Sequence, residues 1–307
     1  MARRYRTRRR LRRLPRHFLT GSELSASRLS ALLDRAVELK AEPAASRALE
    51  GRSVALVFEQ PSTRTRTSFE VGIVELGGYP MVLRPGELQL TRGESVRDTA
   101  MVLSRHVAAI GLRTGSEATL VELAAHAEVP VINMLSPDHH PCQALADLLT
   151  MREAFGEIRG RRLAYVGDGN NVARSLAVVG GLAGVEVTVA APDGHQLERG
   201  AGARLTNDPR SAVAGADVVY TDVWVSMADD AATAGRRRSA LAAYRVDDAL
   251  LDHAADGAFA LHCLPAHAGE EITAEVLYGP RQRIWDQAEN RRHVQKALLE
   301  WLVEPRT

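Results

Sequence analysis

Short apolar runs that end at a polar turn and lead into a helical stripe recur along this chain, and that alternation restricts its fold more than any other feature. The clearest case is residues 54–58, Val-Ala-Leu-Val-Phe, which read as a buried strand. Pro61 ends the run. Ser62, Thr63, Arg64, Thr65 and Arg66 follow, and then Phe69, Val71, Ile73 and Leu76 at helical spacing. Further strands are expected at 81–83, 107–112 and 129–134, and beyond residue 160 at 163–166, 185–190, 217–222, 259–261 and 283–285. Strands alternating with helices predict parallel sheets with helices on both faces. The expectation is an α/β protein of two doubly wound parallel-sheet domains with a cleft between them. The glycines at 156 and 160 place the boundary near 155–160.

The 307 residues suit two domains of ordinary size. At 45% hydrophobic and 25% charged, the composition is that of a soluble globular protein. No apolar run approaches the roughly 20 residues that span a membrane. Cys142 and Cys263 make neither a disulfide framework nor a metal-ligand spacing, and they point to a reducing, cytoplasmic setting. Charge is spread unevenly. Nine arginines lie within residues 1–16, and without them the formal charge of +1 becomes −8. An acid-free, arginine-rich start can mimic a transit segment or bind nucleic acid. It reads better as a disordered extension over residues 1–14, or as a start placed too far upstream, because a self-repelling segment adds nothing to a compact domain.

Chemistry concentrates where strands end, which is where open α/β sheets bind ligands. The turn from Ser62 to Thr65 opens a helix, so unpaired backbone N–H groups, hydroxyls and the Arg64 fork are offered to an anion. A capped helix with two surface arginines is the plainer reading of that stretch. Arg113 ends the next strand but one, and the loop 84–95, which carries Gln89, is long enough for a flap. His140 precedes Pro141 and Gln143 at another strand end; it is either a satisfied core histidine or a site residue. In the second half Asp222 is a substrate contact or a helix cap. Cys263 is a buried small residue or a member of a site. The glycine-rich turn at 167–171 is not a dinucleotide fingerprint, since Val172 stands where that pattern needs its third glycine. Arginines, hydroxyls, a His and a Gln in one half, facing an Asn, an Asp, a Ser and a Cys in the other, suit transfer from a phosphorylated donor to a polar acceptor.

Six motifs in order now make the chain similar to the aspartate/ornithine carbamoyltransferase family, and within it to the ornithine branch. They are Ser-Thr-Arg-Thr-Arg at 62–66, His-Pro-Cys-Gln at 140–143, Gly-Asp-Gly-Asn-Asn at 167–171, Asp-Val-Trp-Val-Ser-Met at 222–227, His-Cys-Leu-Pro at 262–265 and Ala-Glu-Asn-Arg at 288–291. The resemblance implies a carbamoyl phosphate domain over 15–155, an ornithine domain over 156–285, and a C-terminal helix over 286–307 that returns to the first domain. It implies that Ser62, Thr63, Arg64, Thr65, Gln89, Arg113 and Arg291 hold carbamoyl phosphate. His140 and Gln143 would contact its carbamoyl end, Cys263 and Leu264 line the reacting centre, and Asn171, Asp222, Ser226 and Met227 hold the amino acid. Arg113, His140, Asp222 and Cys263 would be the catalytic set. It further implies trimers, no metal, no organic cofactor, and no nucleic-acid or membrane partner. Two features depart from the family pattern. Ala228 stands where Gly is usual after Met227, and 194–207 is short where the family fits another helix. Transfer to a different amine, or binding without turnover, are the alternatives those departures keep open.

Overall fold

The structure, a computed structural model, describes residues 15–88, 93–225 and 230–304. The first half holds α1 (Ala26–Ala41), β1 (Ser53–Phe58), α2 (Thr63–Glu75), β2 (Tyr79–Leu83), α3 (Val96–Leu103), β3 (Ala109–Arg113), α4 (Glu117–His126), β4 (Val131–Leu135) and α5 (Pro141–Phe155). Then come β5 (Arg162–Val166), α6 (Asn171–Ala183), β6 (Glu186–Ala190), β7 (Arg204–Thr206), α7 (Pro209–Val213) and β8 (Val218–Thr221). The chain ends with α8 (Ala231–Leu241), α9 (Asp248–Leu251), β9 (Phe259–His262), α10 (Ala274–Tyr278) and α11 (Ile284–Val303). The strands form two sheets, ordered β2-β1-β3-β4 and β7-β6-β5-β8-β9. Every pairing in both is parallel, as the alternation of elements predicts.

Local chemistry explains where the first-half helices begin. Ser25, Ser62, Ser95 and Ser116 cap α1, α2, α3 and α4, each hydroxyl accepting a backbone N–H three residues on. In the second half Asn170 caps α6 by accepting from the N–H groups of Val172 and Ala173. Each sheet has one point where the chain reverses its direction of strand addition. In the first it lies between β1 and β3, in the second between β5 and β8. The register places Phe58 beside Arg113, so the turn at Ser62 and the end of β3 share one sheet edge.

The C-terminal helix α11 packs on α5, α1 and α2 of the first domain. One apolar core runs through it, joining Leu29 and Leu33 of α1, Leu145 and Leu149 of α5, Leu176 of α6, and Val294 and Leu298 of α11. Unlike an ordinary core helix, α11 also buries Gln287, Asn290, Arg291, His293, Gln295 and Lys296. Lys296 is fully buried and donates to the carbonyls of Leu39 (3.0 Å) and Pro43 (3.2 Å) and to Glu75 Oε2 (2.5 Å). Arg16, which lies over the Trp301 ring and donates to the Trp301 carbonyl, ties the other end of the chain to the same helix.

The structure corrects the strand expected at 283–285. Gln282 makes a single parallel bridge with Ala260, and Ile284 already begins α11. Ile284 is buried and Trp285 half exposed, an alternation that fits a strand and a helix start equally well. The C-terminal helix therefore starts before residue 286. The stretch 194–207 contains β7 and no helix, and β7, three residues at a sheet edge, is too short to leave a pattern. Residues 1–14, Gln89, Ser226, Met227 and Ala228 lie outside the described residues.

Breaking a buried ion pair by removing one partner costs about 3–5 kcal/mol. Glu75 keeps Arg292 at 3.4 Å as a second cation, which places Lys296→Met at the low end. A loss of about 3 kcal/mol in a urea titration is expected. No loss would show that α11 is held by its apolar face alone.

Candidate active site

Three guanidinium groups converge beside the first switch point. Arg64 comes from the first turn of α2, Arg113 from the end of β3, and Arg291 from the middle of α11. Arg291 is buried and anchored: Nη2 donates to Thr65 Oγ1 (3.0 Å) and Nη1 to Gln143 Oε1 (2.7 Å). Among the described residues none of the three arginines makes a salt bridge to a carboxylate, and Nε of both Arg113 and Arg291 is buried without a partner. Burial, then the charges of Arg291 and Arg64, push Arg113 down to about 10. Positive charge that no ion pair neutralises attracts an anion. Ser62 and Thr63 lie at the helix N-terminus that faces it.

His140, the N-cap of α5, stands against the same cluster. Burial first, and then the Arg291, Arg113 and Arg64 charges, hold its ring well below the ordinary histidine value. The ring is therefore neutral at physiological pH. Arg291 Nη1 sits 3.2 Å from Nε2 and can only donate, so Nε2 accepts and the ring proton resides on Nδ1. That Nδ1 is buried and has no partner among the described residues, which leaves one N–H donor to spare. Gln143 is spanned between Arg291 and Asp147, its Nε2 donating to Asp147 Oδ1 (2.9 Å). Cys142, which the sequence reading leaves out of the site, is buried with its thiol pushed up to about 12 by burial.

The second switch point carries the acceptor-side residues. Asp222 follows β8; its Oδ2 accepts from Asn170 Nδ2 (2.7 Å) and its Oδ1 from the Cys263 thiol (2.8 Å). Burial and the adjacent Asp222 carboxylate push the Cys263 thiol well above its ordinary value, so it is a donor and not a thiolate nucleophile. Asn171, named from the sequence, sits beside this pair, but its amide donates to the Ser136 carbonyl (2.8 Å) and ties the two halves together. Leu264 has φ +59, a conformation uncommon for a non-glycine residue and frequent at functional sites. Its N–H is held by His262 Nδ1 (2.8 Å), and His262 Nε2 meets Glu271 Oε1 at 3.0 Å. Burial favours a protonated Glu271, but the hydrogen bonds from His262 and the His267 N–H outweigh it and hold that carboxyl below its ordinary value.

Asn170, His262, Glu271, Asp147 and Gln287 are thus site-supporting residues that sequence reasoning passed over. Position in the turn after β5 marks Asn170 and position at the end of β9 marks His262; nothing local marks the others. Gly169 has a packing reason, since a Cβ there would come within 2.7 Å of the His195 carbonyl and the Leu197 nitrogen. Ligand atoms of Asp222, His262 and Cys263 lie within 4.8 Å of one another, as do those of His267, Glu270 and Glu271. Hydrogen bonds already engage both His262 nitrogens and the Cys263 thiol, and Arg238 pairs with Glu270.

Residues 16–153 match the carbamoyl-P binding domain of the aspartate/ornithine carbamoyltransferase family, and residues 159–302 its Asp/Orn binding domain. The chain is 56% identical over 303 residues to the ornithine carbamoyltransferase of Acidothermus cellulolyticus, an alignment covering 94% of this chain and 97% of that one. The crystal structure of the ornithine carbamoyltransferase of Thermus thermophilus superposes with a TM-score of 0.88 at 44% identity, over 95% of this chain and 100% of that one. The ornithine carbamoyltransferase of Pyrococcus furiosus gives a TM-score of 0.88 at 44% identity, over 93% and 96% of the two chains.

The neutral state of His140 is directly measurable. With 13C-labelled imidazoles, its Cε1 resonance should stay at the neutral position between about pH 5.5 and 8.5, the window in which an unperturbed imidazole changes charge. A midpoint for His140 at or above the ordinary histidine value would mean that burial and the arginine cluster do not hold it neutral.

Proposed function

This chain belongs to the aspartate/ornithine carbamoyltransferase family, and from that premise we propose that it transfers the carbamoyl group of carbamoyl phosphate to the δ-amine of L-ornithine, giving L-citrulline and phosphate. The observation that carries the reading is the cluster of Arg64, Arg113 and Arg291 without a carboxylate partner among the described residues. A carbamoyl phosphate dianion supplies the missing charge, and arginine forks match its phosphate oxygens. In this reading residues 15–155 bind the donor, residues 156–283 bind the acceptor, and α11 brings Arg291 back to the donor side.

The chemistry follows from the placement. Ser62, Thr63, Arg64 and Thr65 bind the phosphate at the start of α2, with Gln89 reaching it from the 84–95 loop. The δ-amine attacks the carbamoyl carbon; the new C–N bond forms, charge grows on the carbonyl oxygen, the C–O bond to phosphate breaks, and the departing phosphate takes up the proton that the attacking nitrogen loses. His140 Nδ1–H and Arg113 are the donors for that oxyanion, each worth about 3 kcal/mol when well placed. The nucleophile must be the free amine. Neighbouring guanidinium groups disfavour an ammonium, so the cluster that binds phosphate also helps the amine shed its proton. Asp222, with Asn171, Ser226 and Met227, holds the amino-acid end, and the protonated Cys263 beside Leu264 lines the reacting centre. Holding both substrates in line removes a further several kcal/mol of entropic barrier. No metal or organic cofactor enters, since phosphate is already a good leaving group. The setting is the cytoplasm and arginine metabolism; among the described residues no helix is long and apolar enough to cross a membrane. In this reading the chain forms trimers, and the exposed Val71, Val74 and Tyr79 of α2 and β2 offer an apolar face for a neighbouring subunit.

Phosphate release with L-ornithine, citrulline quantified beside it, tests the reading directly. Turnover with ornithine is expected, and no turnover with a panel of other amines. Arg113→Met should lower kcat by about 10²–10³-fold. Asp222→Asn should raise KM for ornithine about tenfold with little change for carbamoyl phosphate, the cost of weakening one charged contact. Turnover only with another amine would move the acceptor, and none with any amine would remove the transferase reading.

A further inference from the structure

Asp147 lies one turn beyond Gln143 on α5 and is fully buried. Its partners come from three elements that do not otherwise meet in sequence. Gln143 Nε2 of α5 donates to Oδ1 at 2.9 Å and Gln287 Nε2 of α11 at 2.6 Å, with Tyr220 Oη of β8 at 3.5 Å. Oδ2 is buried and has no partner among the described residues. Each glutamine then spends its other end on one half of the cleft. Gln143 Oε1 accepts from Arg291, beside His140 and Thr65. Gln287 Oε1 accepts the backbone N–H of His262, the residue that positions Leu264 beside Cys263.

We propose that Asp147 is a positioning residue that locks the two half-sites into one unit by setting the sense of the Gln143 and Gln287 amides. The inference rests on the carbamoyl-transfer reading above. The physical reason is the inventory of hydrogen-bond groups. An ionised carboxylate only accepts, so both amides must turn their NH2 ends toward it. That leaves an oxygen facing the Arg291 guanidinium, which only donates, and an oxygen facing the His262 N–H. Turned the other way, an amide NH2 would confront the guanidinium. A carboxyl protonated on the unpartnered Oδ2 enforces that sense more weakly, since its hydrogen bonds lose their charge, and an apolar side chain at 147 does not enforce it at all. Burial pushes this carboxyl up to about 7, against the opposing hydrogen bonds and the Arg291 charge, so the enforcing state is titrated near neutral pH. The other charged or titratable groups that face Asp147 are Arg291 from α11, Tyr220 from β8 and Cys263 beyond β9. Tyr220 and Cys263 are held well above their ordinary values, and His140 well below, so none of these titrates in the same window.

The test compares the wild-type chain with Asp147→Asn and Asp147→Leu. Steady-state kinetics are taken for each substrate, with the other saturating, from about pH 5.5 to 9, and thermal unfolding is followed at each pH. In the wild type, kcat/KM for carbamoyl phosphate should rise to a plateau with an apparent pKa near 7. In Asp147→Asn that limb should vanish, because the amide cannot titrate. The folded state holds this proton more tightly than the unfolded chain, so wild-type stability should fall as pH rises through 7, and the Asn variant should lack that fall. Asp147→Leu should lower kcat/KM for both substrates by about 10²-fold, the cost of a small misplacement of reacting groups. A limb unchanged in Asp147→Asn, or a folded Asp147→Leu within about threefold of wild type, overturns the inference while leaving the transferase reading intact. If the Leu variant does not fold, the Asn profile decides alone. Absence of turnover in the wild type would remove both.

Discussion

Three cations held together without an ion-paired carboxylate among the described residues are what the rest of this structure has to maintain. Arg64, Arg113 and Arg291 repel one another, and desolvation disfavours the charges on Arg113 and Arg291. A chain that gained nothing from this arrangement would let them swing out to solvent. They stay because each is carried by an element that is itself locked. Arg64 is on the first turn of a capped helix, Arg113 ends a central strand, and Arg291 lies on a helix sealed against three others. The positive hole is therefore preorganised, and little rearrangement remains when a dianion enters.

The helix that carries Arg291 explains much of the architecture. Its buried face is polar along much of its length, with Gln287, Asn290, Arg291, Gln295 and Lys296 all inside. Such a helix gains less from apolar burial than from directional bonds. Lys296 grips α1 and the Glu75 end of α2, Asn290 donates to Thr150 and Glu153 of α5, and Gln287 reaches Tyr220 of the second sheet. These bonds have one geometry in which all are satisfied, which is how a polar interface specifies a register that an apolar one would leave loose. The two sheets are thereby related through a common key as well as through the continuous core.

Much of this was legible along the chain. Alternation of strand and helix follows from hydrophobic period, serine caps from side-chain reach, and the pooling of polar residues at one sheet edge from parallel topology. Arg64, Arg113, His140, Asp222 and Cys263 stand at strand ends or in the elements that follow them, and in the fold the first three meet beside Arg291 while Asp222 meets Cys263. Other parts left no local signal. Asp147 and Gln287 fall inside helical stripes, where a lone polar residue looks like a solvated position. Asn170 and Asn171 are adjacent, and only the cap geometry shows that the first of them meets Asp222. Residues 283–285 read as a strand because three residues cannot separate a period of 2 from one of 3.6.

The sequence by itself determined the class of fold, the two-domain layout and the inventory of chemistry, because these depend on periodicity and on residue type at element ends. Tertiary structure alone decided which groups carry charge and which way they face. His140 is neutral with its proton on Nδ1, Cys263 is a thiol and not a thiolate, and two glutamine amides are oriented by one buried carboxylate. Arg291 lies more than a hundred residues from His140 and Gln287 as far from Asp147, the Cys263 thiol depends on burial beside Asp222 at the end of the neighbouring strand, and no local spacing encodes such desolvation and contacts.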